Sequence, residues 1–166
     1  MNLYSMCNIA TNGKCEFKDQ SNSVLFYATT QRDEFRGKEA VTSVYDDKGN
    51  LLATISYYYG KLKTLKFKIN EVNGNSFVIN LDGNDISSDD GKILLKRTFF
   101  NKKISLYVCD KLVMQTKCTT LIRQWMQGNY KINILDESKV NLSVYMLVIA
   151  YVVIANEYIC TENNIL

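Results

Sequence analysis

The side chains that could do chemistry in this chain are lysines, cysteines, carboxylates and one tryptophan, because histidine is absent. Without histidine there is no Ser-His-Asp or Cys-His nucleophile pair and no His-ligated metal. The cysteines are Cys7, Cys15, Cys109, Cys118 and Cys160, an odd set of five with no C-x-x-C spacing. Zinc-finger and thioredoxin-like readings fail on that spacing. The thiols read instead as reduced, buried groups acting as small hydrophobes. Cys7 with Cys15, and Cys109 with Cys118, are spaced to face each other across hairpins, which permits a disulfide without implying one. Asp33 with Glu34 and Asp136 with Glu137 are adjacent carboxylates. Neighbours along a strand or loop point apart, so neither pair makes a general acid and base. No Walker loop, G-x-G-x-x-G or G-x-S-x-G segment is present. No cofactor and no metal is expected, and nothing in the chain points to an enzyme.

Lysine is the remaining candidate. Lys61, Lys63, Lys66 and Lys68 form one concentration, and Lys96, Arg97, Lys102 and Lys103 form another. In Thr64–Asn70 the apolar Leu65, Phe67 and Ile69 alternate with Lys66 and Lys68, which puts the two lysines on one outward face of a half-buried strand. The candidate lipid-headgroup set is Lys61, Lys63, Lys66, Lys68, Lys102 and Lys103, provided neighbouring strands add to the same face. Tyr57, Tyr58 and Tyr59 adjoin it as interface candidates. The simpler reading is that these lysines solvate the outer wall and protect strand edges. Trp125 reads as core packing rather than a ligand platform. The net charge of +3 is too small to imply nucleic acid, and no nucleic-acid partner is expected.

The elements that must position these groups are mostly strands. The chain has 166 residues, the length of one domain, and no proline or linker divides it. Asn/Asp/Gly turns at Thr11–Lys14, Asp46–Asn50, Val72–Asn75, Asp82–Asn84, Asp89–Gly91 and Gln127–Asn129 separate short β-prone runs. The runs are Leu3–Ala10, Cys15–Phe17, Val24–Thr29, Ala40–Tyr45, Leu51–Tyr57, Thr64–Asn70, Phe77–Leu81, Lys92–Phe100, Ile104–Cys109, Leu112–Cys118, Thr120–Met126 and Tyr130–Leu135. Gln31–Lys38 reads as a loop. Met1–Ala10 has neither the basic nor the apolar region of a signal peptide, and with the odd thiols this favours the cytoplasm.

The end of the chain differs. Leu142–Ala155 is apolar on every side of a helix, and such a helix must be surrounded. Lipid is one candidate surround, as in a tail-anchored membrane protein. Fourteen residues span only about 21 Å of the roughly 30 Å needed, however. Lys139 before the run and Glu157 and Glu162 after it are poor membrane flanks. The alternative is the interior of a barrel of about a dozen strands, which something must fill. The expected fold is therefore mainly β: a closed antiparallel β-barrel around a C-terminal hydrophobic helix at about 138–158, capped by Asp136 or Ser138.

This order of elements resembles the tubby C-terminal-like superfamily, most closely its LURP-one-related and small bacterial members, with phospholipid scramblases as further relatives. The residues carrying the resemblance are the hairpin Val44-Tyr-Asp-Asp-Lys-Gly-Asn-Leu-Leu-Ala53, the later Ser88-Asp-Asp-Gly-Lys-Ile-Leu-Leu95, and Tyr130-Lys-Ile-Asn-Ile-Leu-Asp136 before the helix. The likeness spans about Val24 to Ile159. It implies a single barrel domain over 1–166. It also implies a non-enzymatic binding module, cytoplasmic and membrane-associated, that docks to an anionic membrane surface or a protein partner. No basic residues match the lipid site of true tubby proteins, and no calcium-binding pattern of scramblases is present. Asp46, Asp47, Asp89 and Asp90 read as turn residues. A small-molecule carrier or enzyme with a barrel pocket is the other soluble alternative.

Overall fold

The computed structural model describes residues 1–8, 13–31, 39–58, 66–98, 103–118 and 129–162. Twelve strands run in sequence: β1 (Asn2–Asn8), β2 (Lys14–Lys18), β3 (Val24–Gln31), β4 (Glu39–Asp46), β5 (Leu51–Tyr58), β6 (Lys66–Glu71), β7 (Ser76–Asp82), β8 (Asp85–Ser88), β9 (Ile93–Arg97), β10 (Ile104–Val108), β11 (Lys111–Cys118) and β12 (Tyr130–Ile134). Each pairs antiparallel with its neighbours in sequence, and β1 pairs with β12 to close the barrel. Closure leaves no long sheet edge unpaired. A single 3-10 turn (Glu137–Lys139) leads into α1 (Val140–Glu162).

The strands form because their side chains alternate. In β6 Phe67 and Ile69 are buried while Lys66 and Lys68 are exposed, and in β12 Tyr130, Ile132 and Ile134 alternate with exposed Lys131 and Asn133. The turns are set by aspartates. At β4–β5, Asp46 Oδ1 accepts from the backbone N–H of Lys48 (3.0 Å) and Asn50 (2.8 Å), and Gly49 takes the positive φ of 80° that completes the turn.

A barrel of about eight strands is filled by its own side chains; twelve leave a wider interior. Here α1 occupies it. Every residue from Val144 to Ile154 is at most 3% exposed, in one cluster with Leu3, Phe17, Ile55, Phe67, Leu95 and Ile132 from the wall. Each Val, Leu or Ile buried in this way contributes about 1.5–3 kcal/mol, which is why a helix without a polar face is stable here. Asp136 accepts from Ser138 N at 3.1 Å and caps the 3-10 turn, so the α-helix proper starts at Val140 and runs to Glu162.

Several local expectations differ from the structure. Asp85–Ser88 forms strand β8, although its Asp-Ile-Ser-Ser sequence offers a single apolar residue. Gln31 belongs to β3 rather than to the loop. Cys109 lies in the β10–β11 turn with φ of 48°, while Cys118 ends β11 opposite Tyr130, so these two do not face each other. Cys7 and Cys15 are direct register partners across β1 and β2. The expected strand Thr120–Met126, Trp125 within it and the loop 32–38 lie outside the described residues.

Candidate binding surface

The barrel interior is built for packing and carries its own polar network. The Tyr151 ring lies between Tyr130 (centroids 5.6 Å apart, planes 7°) and Phe17 (6.3 Å, 17°). The Tyr151 hydroxyl is 2.8 Å from Ser5 Oγ, which also accepts the Tyr130 N–H at 3.2 Å. Tyr145 is pushed up to about 12, first by burial and then by the negative charge of Glu71 and a hydrogen bond to it, so its phenol stays protonated. Among the described residues no three His, Cys, Asp or Glu side chains converge as a metal site. The inward positions described above serve packing.

The structure places Lys66 and Lys68 outward and exposed, as their alternation requires, and Lys103 is exposed just before β10. Lys61, Lys63 and Lys102 lie outside the described residues. The strands beside β6 do not extend its charge. Lys66 faces Asn80, and Lys68 lies between Ser56 and Val78. Tyr57, an adjoining interface candidate, and Arg97, from the second basic concentration, are both buried. Tyr57 is 3% exposed and packs on Phe67 (5.4 Å) inside the barrel. Arg97 is 6% exposed and donates to the carbonyls of Asn84 (3.2 Å) and Gly83 (3.5 Å), holding the β7–β8 turn.

A denser basic face lies elsewhere. On the outer wall Lys117 of β11 is directly opposite Lys131 of β12, Lys131 is opposite Tyr4 of β1, and Tyr4 is opposite Lys18 of β2. Lys131 Nζ sits 6.0 Å from the Tyr4 ring centroid. The register Ser105↔Gln115, carried on past the start of β10, brings Lys103 level with Lys117. Lys18 and Lys14 both bridge Glu16, at 3.2 and 3.0 Å. These two bridges hold the Glu16 carboxyl below its usual range, Lys14 contributing most. Among the described residues Lys117 and Lys131 have no carboxylate partner. Sequence reasoning missed this row. Each lysine is visible as an outward residue of its own strand, but their adjacency depends on a register that joins the two ends of the chain.

The rim at the start of α1 is built from aspartate turns. Asp19, Asp46, Asp90 and Asp136 each accept backbone N–H groups in its turns. All four carboxyls are held below the usual range. The largest cause is a side-chain hydrogen bond in each case: from Ser21, Asn50, Ser88 and Ser138 respectively. They stay ionised at neutral pH, and two of them are paired with lysines: Asp90 with Lys92 (3.1 Å) and Asp136 with Lys111 (3.7 Å).

No protein-family model matches the chain, and no curated protein matches its sequence. A solved structure does match in shape: the X-ray structure of a protein from Arabidopsis thaliana, a LURP-one-related protein, aligns with a TM-score of 0.57. The alignment covers 89% of this chain and 88% of that one, at 11% sequence identity. At that identity the likeness speaks to fold alone: this chain shares its barrel architecture with that structure.

Proposed function

We propose that this protein is a non-enzymatic binding module of the tubby-like, LURP-one-related type, working in the cytoplasm and docking through its outer wall to an anionic surface. The observation that carries this reading is the division of the barrel. Its interior is filled by α1, with Val144–Ile154 buried throughout, while lysines project from the wall. A carrier or enzyme needs a cavity with converging polar groups, and α1 stands where that cavity would be. Membrane lipid and an acidic protein are the two kinds of surface that such a wall fits, and the fold likeness supports either by analogy only. Co-sedimentation of the full-length protein with anionic and neutral vesicles at low salt tests it. Binding to the anionic vesicles alone, weakening as salt rises, is expected. Absence of binding removes the lipid version and leaves the protein partner.

One observation favours a second reading. Glu137–Ile154 is long and apolar enough to cross a membrane by length and composition. A tail-anchored protein would have to withdraw α1 from the barrel, and it would need detergent to stay in solution. Recovery of the full-length chain in plain buffer rejects this reading.

A further inference from the structure

We infer that the row Lys103–Lys117–Lys131–Tyr4–Lys18 is a docking strip for the anionic headgroups of a phospholipid bilayer, with the neighbouring Met6 as its apolar foot. The inference rests on the binding-module reading above and names the face and the occupant. Three register pairings place Lys117, Lys131, Tyr4 and Lys18 side by side around the outer wall, and the β10–β11 register carried on past Ser105↔Gln115 adds Lys103. At about 4.8 Å between strands the row is roughly 19 Å long.

Like charges directly opposite each other on a sheet are destabilising. Lys117 and Lys131 hold that arrangement with no carboxylate among the described residues to relieve it. Only the β2 end of the row is relieved, where Glu16 sits between Lys14 and Lys18. A bare like-charge pair is an arrangement that an external anion would complete.

The chemistry around the pair selects the kind of anion. The row carries lysine rather than arginine, and ammonium groups are compact, hydrated point charges that suit a mobile headgroup layer better than a fixed bidentate partner. Tyr4 sits between lysines, and tyrosine prefers the level of the headgroups. Met6 follows two residues along the same outward face of β1 and is 57% exposed, an apolar side chain able to reach below that level.

The test uses the full-length protein and vesicles of phosphatidylcholine with and without phosphatidylserine. The variants are Lys117→Gln with Lys131→Gln, Lys66→Gln with Lys68→Gln, and Met6→Ser. Removing the Lys117/Lys131 pair should weaken partitioning onto phosphatidylserine vesicles about thirtyfold, roughly fivefold for each charge. The same variant should melt at or above the wild-type temperature, so the loss is not unfolding. The β6 pair should bind within about twofold of wild type, because the charge energy falls off within a Debye length of the surface. Met6→Ser should weaken binding several-fold, and that loss should persist at salt that screens the lysines.

Wild-type affinity in the Lys117/Lys131 variant overturns the strip while leaving the binding-module reading in place, as does an equal loss from both lysine pairs. Failure of the wild-type protein to bind phosphatidylserine vesicles, with retention on polyglutamate or single-stranded RNA, overturns lipid as the occupant. No binding to any of the three polyanions defeats the strip and its parent reading together.

Discussion

Inside the helix, two side chains test how completely α1 belongs to the core. Val148 is fully buried among wall residues. Val148→Asp places an unpaired carboxylate there, which costs more than the roughly 5–15 kcal/mol a domain can spare. Loss of the cooperative melting transition is expected; a soluble variant with the wild-type melting temperature would put α1 outside the barrel. Ser143 is equally buried, and its hydroxyl finds no hydrogen-bond partner among the described residues. A buried unsatisfied group costs about 1–3 kcal/mol, so Ser143→Ala should stabilise the protein by about that much. The melting temperature should rise about 2–4 °C for each kcal/mol in a chain of this size. A fall instead would mean that the hydroxyl is bonded.

At the scale of elements, what was legible in the sequence depends on whether the signal is local. The outward placement of Lys66 and Lys68 follows from period-two alternation, and α1 is recognisable because no face of it is polar. Both are properties of contiguous residues. The turns are equally local: Asp46 and Asn50 carry their hydrogen bonds within five residues of chain. Strand β8 was missed because its inward positions are Ile86 and Ser88, too little apolar alternation to read. Tyr57 reads as an interface candidate because a run of three tyrosines hides its own phase, which the pairing with Phe67 reveals. The lysine row could not be read at all, since nothing local says that β12 lies between β1 and β11.

The turns also make a pH prediction. The four rim aspartates have folded-state pKa values below their unfolded ones, Asp90 at about 2 against 3.8. A depressed carboxyl contributes stability that is complete above the unfolded value and lost as pH falls through the folded one. Stability should therefore decline between about pH 4 and pH 2 as the turns release. Asp90→Asn should flatten that decline, measured by urea midpoint against pH; an unchanged slope would show that the turn carboxylates do not set it. Tyr145 acts at the other extreme. Its raised folded pKa keeps its contribution intact below about pH 10, and that contribution is lost as pH climbs toward 12.

The whole molecule is defined by one long-range act, the closure of β1 on β12. Every other strand pair joins sequence neighbours, whereas the seam joins Ser5 to Tyr130 across 125 residues and the Met1 amine to the Ile134 carbonyl (2.9 Å) across 133. Closing so large a loop costs entropy before its contacts are gained. The hairpins should therefore form first, and the seam should close around α1 after the rate-limiting barrier. Ser5→Ala removes a hydrogen-bond partner of the Tyr151 hydroxyl at this seam, and the expected cost is about 0.5–1.5 kcal/mol. An interaction absent from the transition state appears in the unfolding rate alone. Each 1.4 kcal/mol lost should then speed unfolding about tenfold and leave the folding limb of the chevron in place. Ile55→Val, in the β4–β5 hairpin, should do the reverse and slow folding. If Ser5→Ala slows folding as much as Ile55→Val does, the seam closes before the barrier, and the barrel forms around the helix in one step.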